Sequence, residues 1–419
     1  MFALVDCNSF YASCHQIFRT DLRHKPVAVL SNSDGFVIAR SKEAKALGIG
    51  DLQPFFKIEK LLHQHNVAIF SANFPLYGDI SGRVMRTLKH FSPNTEVYSI
   101  DEIFLSFNGM HNDFNLYGQE IKSRVFQHIG MPVCVGVAPT KTLSKLANRV
   151  AKKKPQCNGV CVLDEAYKWE WVLKRIAVTD VWGVGKRIGL RLADLGIQTA
   201  YDLATSDPRR VRRRCSVMVE RTISELNGIP CFALEELPPA KKQIYCTRSL
   251  AEKARTIEPI LEALSVYSAR AAEKLRQQKC LVKKVHVFMH TSPFKPNYFS
   301  ASDSITLLYP TDDTRVITGA VRKLAHLLYR SGHEYMKAGI GFIDVIDKKH
   351  NQSDLFHPGQ PARADDLMHI MDKINGREGK GTVFLAAQGV SQPFAMRQNF
   401  PSPQYTTKWS DIPVVINRS

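Results

Sequence analysis

Val97-Tyr98-Ser99-Ile100-Asp101-Glu102-Ile103-Phe104-Leu105-Ser106-Phe107 sets two adjacent acids in the middle of an apolar run. β-Branched and aromatic residues stand on both sides of them. This predicts a strand over 97–100, a second over 103–107, and a hairpin whose tip carries Asp101 and Glu102. A third acid, Asp6, ends another strand-like run, Phe2-Ala3-Leu4-Val5. An Asp-Glu pair at a turn is an ordinary surface feature, and so is an aspartate after a strand. If the first strand lies beside the hairpin, three carboxylates converge, and they repel one another unless hard divalent cations neutralise them. That is the outline of a phosphoryl-transfer site.

Around these acids, a chain of 419 residues suggests roughly two to four domains. Apolar residues make up 44%, enough for real cores, which excludes a disordered chain. The formal net charge of +18 self-repels unless a polyanion meets it, so nucleic acid is the expected partner. A membrane surface is the alternative. No apolar run reaches spanning length and no secretory leader is seen, so a soluble, intracellular protein is expected. The nine cysteines are scattered, and Cys157 and Cys161 lack His or Cys neighbours at zinc spacing; reduced, mostly buried thiols are expected.

Residues 1–165 mix strand-like runs (2–5, 27–30, 67–70, 97–107, 133–137) with helical patterns. In one of these, 140–151, Leu143, Leu146, Ala147 and Val150 share a face. This reads as an α/β or α+β domain, with 20–75 as a small insertion because the acid-bearing strands flank it. From 166 to 235 the pattern changes to short, arginine-rich helices. There, Val181-Trp182-Gly183-Val184-Gly185-Lys186 precedes Ile188, Leu192 and Leu195 at helical spacing. Gly183 and Gly185 permit a tight turn that exposes amides to a phosphate oxygen, and Lys186 adds charge, as in a helix-hairpin-helix grip on a DNA backbone. An ordinary inter-helix turn can use the same residues, but the basic chain favours the grip. Arg209, Arg210, Arg212, Arg213 and Arg214 agree with it in sign.

A Pro-rich linker follows at 236–242. Residues 243–346 parse as strand, helix, strand, strand, helix, strand, the order of the split β-α-β motif. Lys274, Arg276, Lys279, Lys283 and Lys284 on its flanks suit contact with a nucleic-acid backbone. Beyond Asp347, the segment Asn351-Gln352-Ser353-Asp354-Leu355-Phe356 ends in a Leu-Phe pair that either packs back on its own domain or anchors in another protein's pocket. A helical pattern at 364–374 and an aromatic, basic tail at 404–409 complete the chain.

Taken together, Val5-Asp6-Cys7-Asn8-Ser9-Phe10-Tyr11, Val37-Ile38-Ala39-Arg40-Ser41-Lys42-Glu43-Ala44-Lys45, Tyr98-Ser99-Ile100-Asp101-Glu102, Gly136-Val137-Ala138-Pro139-Thr140-Lys141-Thr142 and Trp182-Gly183-Val184-Gly185 resemble the Y family of translesion DNA polymerases, and within it the UmuC branch. Order and spacing agree over essentially the whole chain. The resemblance implies an α+β multidomain right-hand polymerase. Its parts would be a ferredoxin-like palm at 1–19 and 76–165, small fingers at 20–75, a helix-hairpin-helix thumb at 166–235 and, after the 236–242 linker, a split β-α-β little finger at 243–346. A linker with a clamp-binding peptide at 347–356 and a UmuC-type C-terminal tail at 357–419 would follow. The implied activity is low-fidelity, template-directed DNA synthesis in SOS mutagenesis, without proofreading.

By the same resemblance, Asp6, Asp101 and Glu102, with the Cys7 carbonyl, hold two Mg²⁺ ions. Ions about 3.5–4 Å apart suit activation of a primer hydroxyl and departure of pyrophosphate. Tyr11 matches a steric gate that rejects a 2′-hydroxyl, with Phe10 beside it. Lys45 and Lys152 match positions that hold the triphosphate of the dNTP, and Ala39 falls where the fingers roof the nascent pair. Gly183, Gly185 and Lys186 are the expected DNA contacts. Gln352, Leu355 and Phe356 resemble a sliding-clamp-binding peptide. Implied partners are primer-template DNA, the sliding clamp, a UmuD′-type dimer and a RecA filament. The chain departs from the pattern in two places. Lys42 stands where many relatives carry tyrosine, and Asn8 where many carry an acid; an amide is a poorer Mg²⁺ ligand, so Asn8 is left out of the set. The rival readings are a nucleotidyl cyclase and a non-catalytic DNA-binding repair scaffold. A cyclase has no use for the helical hairpin or the basic split β-α-β domain. A scaffold has no use for three acids together with Tyr11, Lys45 and Lys152.

Overall fold

Every residue of Phe2–Cys7 is buried, so this strand must be covered on both faces, and the fold is arranged around it. The computed structural model describes all residues except 111–112, 236–239, 353–358, 362, 391–397 and 414–419. The chain divides into two units, 1–238 with 398–419, and 239–397.

In the first unit the strands are β1 (Phe2–Cys7), β2 (Val27–Leu30), β3 (Val37–Arg40), β4 (Ala68–Ser71), β5 (Thr95–Val97), β6 (Glu102–Ser106), β7 (Val133–Ala138) and β8 (Val160–Val162). They form a five-stranded sheet in the order β5-β6-β1-β7-β8 and a separate three-stranded sheet in the order β3-β2-β4. The helices are α1 (Phe10–Phe18), α2 (Lys42–Ala46), α3 (Phe55–Gln64), α4 (Phe74–Leu88), α5 (Phe114–Ile129) and α6 (Lys141–Lys153). β1 is antiparallel to both β6 and β7, and its register places Asp6 opposite Glu102 on one side and Cys134 on the other.

The first predicted hairpin strand ends early. β5 stops at Val97, and Tyr98, Ser99 and Ile100 form a turn. Ser99 is the reason. Its Oγ accepts from the N–H groups of Asp101 (3.3 Å) and Glu102 (3.1 Å) and donates to Asp101 Oδ1 (2.6 Å). A serine that bonds its own neighbours in this way competes with the strand ladder. Glu102 therefore opens β6, where its direction is set by strand register, while Asp101 sits on the turn.

Helix α6 lies unusually close to the sheet. Thr140 caps it by accepting from Leu143 N–H (3.2 Å), and Asn148 Nδ2 donates to the carbonyls of Leu4 (3.2 Å) and Cys134 (2.8 Å). The approach requires glycine at 136, where a Cβ would come within 2.1 Å of Asn148 N. Five helices follow: α7 (Ala166–Leu173), α8 (Lys186–Ala193), α9 (Ala200–Thr205), α10 (Pro208–Arg214) and α11 (Val217–Leu226). They share one core with α6, through Leu143, Leu146, Leu192, Leu203 and Leu226. Fully buried Glu225 of α11 joins them to the sheet domain. Its carboxylate accepts from Thr142 N–H (2.9 Å), Cys231 N–H (2.6 Å) and Phe232 N–H (3.1 Å). It thus sits at the electropositive start of α6.

The second unit comprises β9 (Ile244–Ala254), α12 (Glu258–Gln277), β10 (Cys280–His290), β11 (Ser300–Thr311), α13 (Thr314–Leu328), β12 (Tyr335–Asp347) and α14 (Ala364–Arg377). The sheet order is β11-β10-β12-β9, with every neighbouring pair antiparallel. β9 and β10 therefore run parallel with β12 between them, and β11 and β12 run parallel with β10 between them. Each crossover helix joins two strands split by a third, as the sequence pattern predicts. α14 is held by a fork of Arg276 onto Asp372, at 2.6 and 2.7 Å.

Residues 398–413 belong to the first unit. Ser71 N–H donates to Phe400 O (2.8 Å), Asn73 Nδ2 donates to Ser402 Oγ (3.0 Å), and the Tyr405 ring stacks on Phe18 at 4.7 Å. The region after 357 thus contributes to both units. Among the described residues, no helix is long and apolar enough to cross a membrane.

Candidate active site

At the end of β1 the acids meet cations. Asp6 is only 9% exposed, and Lys152 Nζ lies 2.6 Å from its Oδ2. Directly across the strand pair, both oxygens of Glu102 accept from Lys145 Nζ at 3.0 Å. The N–H of Cys7 donates to Asp101 O (2.9 Å), tying the end of β1 to the acidic turn. Burial pushes the Asp6 carboxyl up to about 6; Lys152 opposes that rise, and the charges of Glu102 and Asp101 add to it. The three acids therefore share one field. Asp6, Glu102, Lys145 and Lys152 line a cavity of about 350 Å³.

Other predicted residues reach the same place. Burial, and then the charge of Asp101, raises the pKa of the Tyr11 phenol. Lys45 Nζ donates to Ser9 Oγ (2.9 Å), and partial burial followed by the charges of Arg40 and Lys152 lowers its pKa, with Asp6 opposing. Asp6, Asp101, Glu102, Tyr11, Lys45 and Lys152 thus come together from four parts of the chain.

The remaining predicted residues lie as follows. Phe10 is a core residue, with its ring 5.6 Å from that of Tyr11. Ala39 is half-buried on β3 opposite Val29, and Lys42 is exposed at the start of α2. The Cys7 thiol is buried and driven well above its usual pKa by desolvation and then by the charges of Asp6 and Asp101, so it stays protonated. Asn8 N–H donates to Pro132 O (2.9 Å). Gly183 has φ 84°, Gly185 caps α8, and Lys186 is exposed. Nothing lies within 4 Å of where a Cβ on either glycine would stand, so the backbone there is open to a ligand. Gln352 is exposed, while Leu355 and Phe356 lie outside the described residues.

Sequence reasoning named Lys152 but not its pairing with Asp6, and it missed Lys145 and the aromatic cage around that lysine. Trp182 Nε1 donates to Tyr98 Oη (3.0 Å), and Lys145 Nζ stands 4.3 Å from the Tyr98 ring and 5.5 Å from the Trp182 ring. Lys141 forms a buried ion pair with Glu96 at 2.6 Å and lies over Phe104 at 4.7 Å. A signal was available. Lys141, Lys145, Arg149 and Lys152 fall at helical spacing along α6 and make one basic face, opposite the apolar face used to recognise the helix. A wider cavity of about 1280 Å³ shares Trp182 with this site and is lined by Tyr98, Lys141, Met218 and Phe232, but none of the three acids borders it.

The donor set suits a hard divalent cation, being three carboxylates of which one is buried and crowded by the charge of the other two. Among the described residues, no three acidic, His or Cys side chains close on a common point as a cage. Each carboxylate instead has its own partner, Lys152 for Asp6, Lys145 for Glu102 and Ser99 for Asp101.

Comparison with known proteins bears on the fold and the family. A Y-family DNA polymerase chimera, Dbh-Dpo4(243-245)-Dbh, superimposes with a TM-score of 0.64 at 21% identity, covering 82% of this chain and 98% of that one. Residues 5–149 match the impB/mucB/samB family, and residues 241–355 match its C-terminal domain. Protein UmuC of Salmonella typhimurium is 45% identical over 98% of this chain and 99% of its own length. The chain belongs to the UmuC branch of the Y-family translesion DNA polymerases. Within this family, Protein MucB of Escherichia coli is 41% identical over 99% of both chains. DNA polymerase IV 1 of Bacillus subtilis is 26% identical over 90% of both. Residues 365–415, which include all of α14 but its first residue, match a domain of unknown function, DUF4113.

Proposed function

We propose that this UmuC-family chain extends primers past template damage with two Mg²⁺ ions held by Asp6, Asp101, Glu102 and the Cys7 carbonyl. The observation that carries the reading is the strand register setting Asp6 against Glu102, with Lys152, Lys45 and Tyr11 in the same field. When bound, such ions supply Lewis-acid stabilisation of the charge that develops on a transferring phosphoryl group. The chain's own residues do the rest. Lys152 and Lys145 pair with Asp6 and Glu102 and offset the repulsion between the acids before substrate arrives. Lys152 and Lys45 then have a triphosphate to meet, as point charges on its oxygens. Open backbone at Gly183 and Gly185, with Lys186, would hold primer-template DNA by its phosphates, which the chain's +18 charge supports. The reading extends to a sliding clamp taken by Gln352, Leu355 and Phe356, and to a UmuD′-type dimer and a RecA filament.

The test is primer extension with Mg²⁺ and all four dNTPs on intact and abasic templates, by the chain alone and with a UmuD′-type dimer and a RecA filament. Extension that EDTA stops is expected. No lengthening under either condition removes the reading, since a cyclase or a scaffold lengthens nothing.

Tyr11 is the gate in this proposal. Tyr11→Ala should raise incorporation of ribonucleotides relative to dNTPs by about tenfold or more, because a side chain's bulk is then missing beneath the sugar. Unchanged sugar selection in a folded Tyr11→Ala protein removes the gate.

A further inference from the structure

The gate residue does not stand alone. Tyr11 and His15 are four residues apart on α1 and so share a face. Both meet Tyr77 of α4. The Tyr11 ring stacks on Tyr77 at 4.4 Å and 26°, while His15 Nε2 shares a 2.8 Å hydrogen bond with the Tyr77 hydroxyl. On its other side the His15 ring stacks on Phe70 at 4.1 Å and 5°. Four rings, Phe70, His15, Tyr77 and Tyr11, thus run from the core to the half-buried gate. His15 and Tyr77 are both 0% exposed.

We propose that His15 is a positioning residue for sugar selection, which holds Tyr77 in the orientation that braces Tyr11. The inference rests on the reading of Tyr11 as the gate. A phenylalanine or leucine would fill this space without burying polar atoms. Burying an imidazole is costly unless hydrogen bonds compensate, and His15 Nδ1 has no partner. All of its compensation is the bond to Tyr77. Burial also pushes the imidazole down to about 3, so it acts as a neutral hydrogen-bonding ring. Stacking alone leaves an aromatic ring free to slide along its neighbour; a bond at the para oxygen pins the far end of the ring. A steric gate works by the placement of one surface against a sugar, and displacements of about 1 Å at such a contact can change rates as much as about a hundredfold.

The experiment measures single-nucleotide incorporation with matched dNTP and rNTP and compares the two kcat/KM values. His15→Phe keeps the stack on Phe70 and removes the bond from one side; Tyr77→Phe removes it from the other. Each should lower the deoxy-over-ribo ratio by about five- to tenfold, the double variant should fall no further than either single, and His15→Gln, whose amide can donate or accept, should keep most of the discrimination. Thermal melts establish that each variant is folded, and Tyr77→Phe carries the test if His15→Phe is not. Ratios within about twofold of wild type in folded His15→Phe or Tyr77→Phe, with discrimination lost in Tyr11→Ala, overturn the brace. Unchanged discrimination in Tyr11→Ala overturns the gate itself, and the brace with it.

Discussion

Asp101→Ala and Glu102→Ala should each slow primer extension by about a hundredfold to a thousandfold or more, the scale seen when one preorganised charge is removed from an active site. Asp6 lies across the strand pair from Glu102, and the charges of both other acids raise its pKa further after burial has done so. Removing either neighbour takes away one of the three carboxylates that would hold a cation. Glu102→Ala also leaves Lys145, now paired at 3.0 Å, without its carboxylate inside an aromatic cage. Neither acid belongs to the open glycine turn at Gly183 and Gly185, so DNA affinity should stay within about threefold in both variants. Single-turnover extension and fluorescence anisotropy with labelled primer-template separate the two effects. Extension at the wild-type rate by either variant removes the metal assignment.

Glu225→Ala should destabilise the first unit by about 3–5 kcal/mol, because each buried N–H left without an acceptor costs about 1–3 kcal/mol. Three backbone N–H groups would lose their acceptor at once, that of Thr142 fully buried and those of Cys231 and Phe232 half-buried. The start of α6 would also lose the negative charge that its dipole favours. In a unit of this size the expected fall in Tm is on the order of 10 °C, read by calorimetry. Glu225→Gln should lose less, because an amide oxygen can still accept. A Tm unchanged in Glu225→Ala would show that the joint between α11 and α6 is carried by apolar packing alone. Since α6 also bears Lys145 and Lys152, loosening its first turn should reach the carboxylates as well.

Much of this was legible in residue order. Apolar strand-like runs marked β1 and β7, β-branched and aromatic residues beside the acids marked β6, and the glycine pair before α8 marked a tight backbone turn. The strand-helix order of 243–346 implied the split sheet that the structure contains. Ser99 was the instructive miss. Tyr98-Ser99-Ile100 has strand composition, yet one hydroxyl bonding to Asp101 and Glu102 turns the chain early. Propensity averages over neighbours, whereas a single local hydrogen bond can overrule it. The basic face of α6 was missed because only its apolar face was used.

Composition and local pattern, by themselves, determined the acids at the ends of two strands, the basic character that calls for a polyanion, and the kinds of elements along the chain. These depend on side-chain type and spacing over a few residues, which the order of residues states directly. Only the tertiary structure decided that Lys152 pairs with Asp6 and Lys145 with Glu102, that Glu225 closes the start of a helix more than eighty positions earlier, and that His15 reaches Tyr77 behind the gate. Those partners are chosen by strand register, by the close seating of α6 on Gly136 and by burial, and each depends on residues far apart in the chain arriving together.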